Sequence, residues 1–401
     1  MNAIRKYFDK IKPNFEEGGK LHAFRSLYDG FETFAFVPNT TARVGGTHIH
    51  DAIDSKRIMS LVVIALVPAL LFGMYNVGYQ NALAANQLEN ATFWGMFWFG
   101  FLAVLPKLIV SYVVGLGIEF TVAQWKNEEI QEGFLVSGII IPMIVPVNTP
   151  LWMLAIAVAF SVIFAKEIFG GTGMNIFNVA LITRAFLFFS YPSSMTGDDT
   201  VWVAQNTICG LGFDVPDTFS AATPLGELAQ NAAATSTCIC DQITGLIPGS
   251  IGETSVIAIA LGAILLLWTG VASWKTMLSV FVGGALTAML YDAVIPVTDE
   301  LGNIVNAAAH IPWYQHIVLG GFCFGAVFMA TDPVTSARTE GGKWVYGFMI
   351  GFVAVTVRVL NPGYPEGMML AILLMNLFAP LIDYCFVSRN ISKRAKRATK
   401  Q

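Results

Sequence analysis

Residues 93–119 read FWGMFWFGFLAVLPKLIVSYVVGLGIE. This run is long enough to cross a bilayer as one helix, which takes roughly 20 apolar residues. Comparable runs recur from end to end of the 401-residue chain, so it is not a single anchor on a soluble body. Only 12% of the residues are charged and 55% are hydrophobic, whereas a soluble domain has about 25% charged residues. The sequence therefore predicts an all-α polytopic membrane protein.

The same reading predicts about ten transmembrane helices. Two candidate spans are short: one contains Pro142 and Pro146, and the other follows the glycine-rich run at 170–173. The candidate spans are 58–75, 93–119, 134–146, 150–167, 177–190, 254–269, 276–296, 314–331, 344–360 and 367–387.

Basic residues predict the orientation of the chain. Residues 1–57 contain nine Lys or Arg and residues 388–401 contain six, out of 23 in all. Because Lys and Arg accumulate on the cytoplasmic side, we expect both termini there and an even number of spans. Residues 190–253 contain neither Lys nor Arg, which fits a long external loop.

These features predict five regions and an internal repeat. The two halves have five spans each and a polar interruption apiece, at 169–178 and at 329–336. Five spans per half predict inverted repeats whose broken helices meet near the middle of the membrane. The predicted regions are a cytoplasmic amphipathic N-terminal segment (1–57), a first repeat (58–190), an external loop (191–253), a second repeat (254–388) and a basic cytoplasmic tail (389–401).

Ionisable residues inside apolar spans are candidate functional groups because burying them in lipid is costly. Near the span ends, Glu119, Glu167 and Arg358 are expected to reach the interface. Asp332 precedes a proline that frees backbone carbonyls, and such oxygens are ligands for a hard cation. Asp383 lies near the basic tail, where an ion pair is the alternative. The full set is Lys107, Glu119, Glu167, Arg184, Asp292, Asp332, Arg358 and Asp383.

Two polar motifs each allow a functional and a structural interpretation. The run at 170–175 is rich in glycine, and Asn175 and Asn178 would share a face if helical, so they predict either a ligand site or close helix packing. In the external loop, Thr223 precedes a proline and should be extended. It is either presented to a modifying enzyme or caps a helix. The five cysteines form no paired CxxC pattern, so we predict no metal site on them.

Several segments, taken together, resemble a known family. They are His48-Ile-His-Asp-Ala-Ile-Asp54, Phe72-Gly-Met-Tyr-Asn-Val-Gly78, the run from Lys166 to Asn178, Arg184-Ala-Phe-Leu-Phe-Phe-Ser-Tyr-Pro192 and Thr331-Asp-Pro-Val-Thr335. In order, they resemble the B subunits of the bacterial Na+-translocating NADH:quinone oxidoreductase. The related D subunits of the Rnf electron-transport complex are similar, but the long N-terminal segment favours the first family.

The loop pattern around Thr223 resembles the target of a flavin transferase. It consists of Asp217, Ser220, Ala222 and Thr223, with Ala221 where the family often has glycine. The resemblance implies FMN bound to Thr223 through a phosphoester, together with a noncovalent riboflavin. It also implies a fold similar to that of urea channels and a role in electron transfer from NADH to quinone that is coupled to outward Na+ transport. Its partners would be the other members of a six-subunit complex in the bacterial inner membrane, the flavin transferase, quinone and lipid, with no nucleic acid.

The remaining expectations assign residues to ligands. Asn175, Asn178 and Asp332 are candidate partners of the riboflavin. Glu132, Asp332 and Asp383 are candidates for the Na+ path, and Phe31, Phe34, Phe36 and Gly133 for the quinone site. The alternative for the phenylalanines is an amphipathic anchor on the bilayer. No NADH site is expected, because no glycine-rich dinucleotide motif opens a strand–helix unit.

Two other functions remain open at this point. An inverted-repeat channel for a small solute fits the topology without any redox role. An Rnf-type subunit would take its electrons from ferredoxin. Covalent flavin on the chain would separate the channel from the other two, and the co-purifying soluble subunit would separate the two redox complexes.

Overall fold

The computed structural model describes residues 2–15, 25, 28, 32, 36, 55–126, 133–195, 200–216, 222–230, 235, 237–296 and 306–398. This part of the chain is built of helices, and its only β-type pairing is an isolated bridge between Ile208 and Leu211. The helices are α1 (Asn2–Ile11), α2 (Ser55–Ala84), α3 (Phe93–Lys126), α4 (Phe134–Met143), α5 (Leu151–Ser161), α6 (Val179–Ser190), α7 (Pro224–Ala229), α8 (Ile239–Thr244), α9 (Val256–Trp268), α10 (Trp274–Val294), α11 (Trp313–Val318), α12 (Phe322–Phe324), α13 (Glu340–Leu360) and α14 (Met368–Ala398).

The predicted all-helical, multi-pass membrane architecture is confirmed. Six helices of the described chain are long and apolar enough to cross a membrane, and three shorter apolar helices accompany them. The six long ones are α2, α3, α5 with its continuation to Phe169, α10, α13 and α14. The short ones are α4, α6 and α9.

One predicted span is wrong in detail. The span expected at 314–331 is interrupted, because α11 ends at Val318 and α12 begins at Phe322. Gly320 between them has a φ of +64°, which glycine adopts without steric cost. The two glycines at 320 and 321 therefore break the apolar run, although hydropathy alone predicts one helix.

Glycines bring the long helices into close contact. A methyl group on Gly100 of α3 would overlap the carbonyl oxygen of Met74 on α2. Gly283 of α10 faces the backbone of Phe348 on α13 in the same way. Lipid offers no hydrophobic force between helices, so such small residues stabilise the pairs through van der Waals packing.

Polar side chains cap the helices that start inside or beside the membrane. Ser255 Oγ accepts from the backbone of Ala258 at the start of α9, at 3.3 Å. Thr339 Oγ1 accepts from Gly342 at the start of α13, at 3.1 Å. Each cap satisfies a backbone donor that the first helical turn leaves unpaired, which is necessary where water is scarce.

Candidate functional site

The two polar interruptions predicted from the sequence touch each other. After α5 the chain passes through a π-helical turn (Val162–Lys166) and re-enters a helix at Asn178, the N-cap of α6. α12 likewise continues into a π-helical turn (Gly325–Met329) that precedes Asp332. Nδ2 of Asn178 donates a hydrogen bond to Oδ2 of Asp332 at 3.2 Å. Residues 154 positions apart thus join the two breaks.

Besides this contact, Asp332 accepts hydrogen bonds from two neutral donors in its own segment. The backbone of Val334 donates to Oδ1 at 3.0 Å, and the hydroxyl of Thr335 donates to Oδ2 at 3.1 Å. Asn178 meanwhile accepts from the backbone of Ala180 at 3.0 Å. One amide therefore both caps α6 and holds the carboxylate of the opposite break.

A cavity adjoins this contact, and we call it the junction cavity. Asn175 lies in the loop rather than on a helix, where its Nδ2 donates to the carbonyl of Phe177 at 3.0 Å. The hydroxyl oxygen of Thr172 is buried and has no hydrogen-bond partner among the described residues. The polar lining combines an ammonium, a carboxylate, two amides and several hydroxyls. Its members, with one glycine, are Gly133, Ser137, Lys166, Thr172, Asn175, Asn178, Thr331 and Asp332.

Lys166 in this lining is held by a buried ion pair with Glu119 of α3. Both side chains are only 5% exposed. The expectation that Glu119 reaches the membrane interface is therefore wrong, because Lys166 gives the carboxylate a partner in the interior. The neighbouring Glu167 lies 3.8 Å from Lys126 and is closer to the surface.

A second cavity, the Thr223 cavity, lies towards the other end of α6. The helix has 12 residues, which corresponds to a length of about 18 Å. Arg184 from its middle and Phe188 from its last turn reach this cavity. Its lining includes Arg184, Phe188, Trp202, Thr223, Glu253, Thr254, Tyr364 and Glu366.

A cluster of buried charges forms part of the Thr223 cavity. Nη1 of Arg184 donates to Oε1 of Glu253 at 2.9 Å, and Nη2 donates to the carboxylate of Glu366. The side chains of Arg184 and Glu253 are 3% exposed, and that of Glu366 is 19% exposed. Burial raises the pKa of the Glu253 carboxyl, and Arg184 opposes that rise. Glu366 is therefore the member of the cluster with the most access to the cavity.

Thr223 itself is half-buried and is the N-cap of α7. Its ψ of 153° confirms the predicted extended conformation, and Oγ1 accepts from the backbone of Gly226 at 3.1 Å. The helix-cap interpretation is therefore correct for the geometry, and it leaves the hydroxyl oxygen on the lining of the cavity. Ala222 is half-buried beside it, whereas Asp217 and Ser220 lie outside the described residues.

Arg358 is buried at 2% exposure, so its expected position at the interface is also wrong. Its guanidinium donates to the backbone carbonyls of His316 at 2.6 Å and Leu319 at 3.2 Å, at the end of α11. It also donates to the carbonyl of Glu366 at 3.3 Å. In the first half, Lys107 similarly donates to the carbonyl of Val147 at 2.5 Å. Both cations stabilise carbonyls that broken helices leave unpaired.

Of the remaining candidates for the Na+ path and the quinone site, only Gly133 lines one of the two cavities; the others either do not line them or lie outside the described residues. Asp383 accepts from the backbone of Arg338 at 2.8 Å and of Thr339 at 2.9 Å, and so ties α14 to the start of α13. Phe36 packs against Phe8, with ring centroids 5.6 Å apart, within the N-terminal segment. Gly133 lines the junction cavity. Glu132, Phe31 and Phe34 lie outside the described residues.

Sequence reasoning missed the partners of the buried cations. Glu253 and Glu366 each stand just before an apolar span, and neither was a candidate. A buried arginine within a span pairs with an acidic side chain or with backbone carbonyls, so the acids at the ends of neighbouring spans were the available signal for Arg184.

The fold and these cavities define a multi-pass helical membrane protein with polar sites built at broken helices. The sequence profile of the NQR2, RnfD, RnfE family matches residues 43–392. Curated relatives that carry the name of the B subunit of the Na(+)-translocating NADH-quinone reductase match over nearly full length. The protein of Chromohalobacter salexigens is 43% identical, over 98% of this chain and 96% of the relative. That of Klebsiella pneumoniae strain 342 is 40% identical, over 98% and 99%. This chain therefore belongs to the NQR2, RnfD, RnfE family, and the resemblance inferred from its motifs is confirmed.

Proposed function

We propose that this chain is the membrane subunit of a bacterial respiratory complex that passes electrons from NADH to quinone and moves Na+ outward. Family membership and the names of the relatives support the complex. The observation that carries the role of this subunit is the position of Thr223, half-buried on the lining of a cavity that also contains the Arg184 cluster. NADH itself would bind elsewhere in the complex.

Thr223 would carry FMN through a phosphoester at Oγ1, made by a flavin transferase. The residue lies in a stretch without Lys or Arg, which fits an external loop. In the helix cap, Oγ1 of Thr223 is the acceptor of a hydrogen bond from the backbone N–H of Gly226. An ester oxygen at the same position can accept the same hydrogen bond. When bound, the flavin supplies the electron-transfer chemistry, while the chain holds and surrounds it.

The residues of the junction cavity fit a noncovalent riboflavin. A ribityl chain carries hydroxyls that donate and accept, and Asn175, Asn178 and Asp332 offer both kinds of partner. The unpartnered hydroxyl of Thr172 adds a further buried group that needs a partner. Apolar walls for the ring system come from Val62, Val136 and Phe328.

Quinone and Na+ would approach from the same side as the junction cavity. Gly133 on the lining of this cavity would be part of the quinone site, and Phe31, Phe34 and Phe36 of the N-terminal segment would contribute apolar rings to it. Glu132, Asp332 and Asp383 would attract or bind Na+ along its path. The chain would lie in a bacterial inner membrane with both termini in the cytoplasm. In that orientation the junction cavity faces the cytoplasm and the Thr223 cavity faces outward.

Fluorescence of the denatured chain tests the central assignment. On a denaturing gel, the Thr223→Ala chain should lose its fluorescent flavin band, because the hydroxyl that forms the ester is gone. Thr223→Ser should retain part of the band. The exposed Thr207 is the matched control, since Thr207→Ala removes a hydroxyl from the same external loop. A Thr223→Ala chain that keeps its band refutes the proposal.

Turnover at varied sodium concentration tests the proposed Na+ path. Glu132→Ala and Asp383→Ala should raise the Na+ concentration that gives half-maximal rate, with flavin content unchanged. Asp383 also accepts from Thr339 Oγ1 at 2.6 Å, so Asp383→Asn, which keeps an acceptor oxygen, separates lost charge from lost structure. If both alanine variants keep the wild-type dependence of turnover on Na+ concentration, these acids have a structural role and the Na+ path lies elsewhere.

The Rnf-type alternative is kept because the family profile includes RnfD. Its electron donor would be ferredoxin rather than NADH. Purification of the intact complex decides between the two functions, through the soluble subunit that accompanies this chain.

A further inference from the structure

Two cysteines lie side by side at the start of α8, in the loop that the proposed function places outside the inner membrane. Cys238 is the N-cap of this helix, and Cys240 is its second residue. Both are exposed free thiols, and the side chain of Cys240 is hydrogen-bonded to that of Cys238. The two sulfurs of this cysteine pair are therefore within reach of each other and of a molecule in solution.

The backbone that carries the cysteine pair is held by neighbouring polar side chains. Gln242 is fully buried, and its Nε2 donates to Oγ1 of Thr235 at 3.1 Å. Its backbone N–H donates to the carbonyl of Cys238 at 3.0 Å. The hydroxyl of Thr244 donates to the carbonyl of Cys240, also at 3.0 Å. These bonds use the backbone of both cysteines and leave their sulfurs for reaction.

The spacing of the cysteine pair suits a disulfide that opens easily. Because Ile239 between the two cysteines is helical, their Cα atoms are about 5.4 Å apart. Disulfides span Cα separations of about 4.4–6.8 Å. A ring closed over three residues restricts the unfolded chain very little, so this disulfide would add little stability. Exposed disulfides are the ones that exchange readily, and the pair is therefore better suited to exchange than to holding the fold together.

We propose that Cys238 and Cys240 form a thiol–disulfide exchange site on the external face, whose co-reactant is a disulfide carried by a protein or a small molecule in that compartment. The inference rests on the orientation in the proposed function, because external compartments supply disulfides while the cytoplasm keeps thiols reduced. It does not depend on either flavin, since neither cysteine lines the Thr223 cavity or the junction cavity.

The exchange conserves electrons and protons. The thiolate of Cys238 attacks one sulfur of the incoming disulfide, whose S–S bond breaks; one thiolate leaves, and the other half stays on Cys238 as a mixed disulfide. The thiolate of Cys240 then attacks the sulfur of Cys238, and the second thiolate leaves. The cysteine pair loses two electrons and two protons, which the co-reactant takes up as two thiols.

The surroundings of Cys240 fit the second of these two attacks. A hydrogen bond to Cys238, followed by the charge of Asp241, raises the pKa of the Cys240 thiol. This thiol therefore stays protonated to a higher pH than usual, which suits the group that resolves the mixed disulfide rather than the one that forms it.

Alkylation with a maleimide after acid quenching and denaturation measures the redox state of the pair in cells. The chymotryptic peptide with Cys238 and Cys240 should take no label without reductant and two labels after reduction. The peptide with Cys209, another exposed cysteine of the same loop, is the control and should take one label in both cases. A pair that takes two labels without reduction overturns the inference.

Oxidised glutathione, which does not cross the membrane, tests the exchange in spheroplasts that have been reduced and washed. The wild-type chain should form the disulfide between Cys238 and Cys240. Cys240→Ser should instead keep one glutathione on Cys238, because the resolving thiol is gone. Both the fluorescent flavin band and turnover should be unchanged in this variant.

The same Cys240→Ser chain, taken from untreated cells, identifies the source of the disulfide. A small molecule leaves an adduct on Cys238, whereas a protein leaves a reducible band of higher mass. If glutathione reacts with Cys209 while the cysteine pair stays reduced, this inference alone is overturned. If no cysteine of the loop reacts until the membrane is opened, the orientation in the proposed function is overturned together with it.

Discussion

The junction cavity and the Thr223 cavity lie towards opposite ends of α6 and are built differently. In the junction cavity a neutral amide, Asn178, holds the carboxylate of Asp332, and the ammonium of Lys166 is already paired with Glu119. In the Thr223 cavity a guanidinium binds two carboxylates directly. The first arrangement leaves hydroxyls and amides for a polar, uncharged ligand, while the second surrounds its ligand with fixed charge.

Broken helices and charged clusters satisfy their buried polar groups in different ways. A break inside the membrane frees backbone groups that need partners, and the junction cavity satisfies them with short polar side chains. A buried cluster of charges is costly unless each member is paired, and its members must come from segments that the fold brings together. The Thr223 cavity therefore depends more strongly on every one of its charged residues.

Arg184→Met should have the largest effect of the changes considered. It leaves Glu253 and Glu366 buried without the cation that binds both. Removing one partner of a buried pair costs about 3–5 kcal/mol, so the thermal midpoint of the purified complex should fall sharply or the chain should fail to accumulate. The level of the chain in membranes and its thermal unfolding measure this effect.

The exposed Arg389 provides the control, since Arg389→Met removes the same charge from the surface end of α14. The triple variant Arg184→Met, Glu253→Gln, Glu366→Gln should recover most of the lost stability. If Arg184→Met unfolds at the wild-type temperature, the charge cluster does not hold this cavity together.

The same comparison explains what the sequence could and could not predict. The spans, the two breaks and the extended conformation of Thr223 were predictable because hydropathy, proline and glycine act locally, whereas the flavin role of Thr223 came only from the family resemblance. The pairing of Arg184 with Glu366 was not, because 182 positions separate them and no periodicity links them. The break between α11 and α12 was also missed, because two glycines barely change the mean hydropathy of an apolar run.

Lys166→Met should destabilise the junction side, but less than the loss of Arg184, because it strands one carboxylate rather than two. Glu119 would be left buried and unpaired, and the thermal midpoint should fall. The double variant Lys166→Met with Glu119→Gln should be close to wild type, since an uncharged pair avoids the desolvation penalty. Thermal unfolding of Lys166→Met, Glu119→Gln and the double variant completes a double-mutant cycle. If the destabilisation of the double variant equals the sum of the two single effects, the ion pair contributes nothing.

Gly133→Ala should have the smallest effect on stability and the most selective effect on ligands. A Cβ at this position would lie 2.5 Å from Cγ2 of Thr172 and 3.1 Å from its Oγ1. Overpacking of this kind costs about 1–3 kcal/mol, and it pushes Thr172 into the junction cavity. We therefore expect less noncovalent flavin in the purified complex and weaker apparent quinone binding, while the covalent flavin on Thr223 is unchanged.

Two variants separate this steric effect from the change of residue type. Gly117→Ala is the control, because a Cβ there meets nothing within 4 Å, and in α3 it should be neutral or stabilise by about 0.5–1 kcal/mol. Gly133→Ala combined with Thr172→Ser removes the methyl group that clashes, so it should restore the noncovalent flavin. If Gly133→Ala retains full noncovalent flavin and quinone affinity, neither ligand uses the junction cavity beside Thr172. If it also lowers the covalent flavin, the two cavities are coupled through α6 rather than independent.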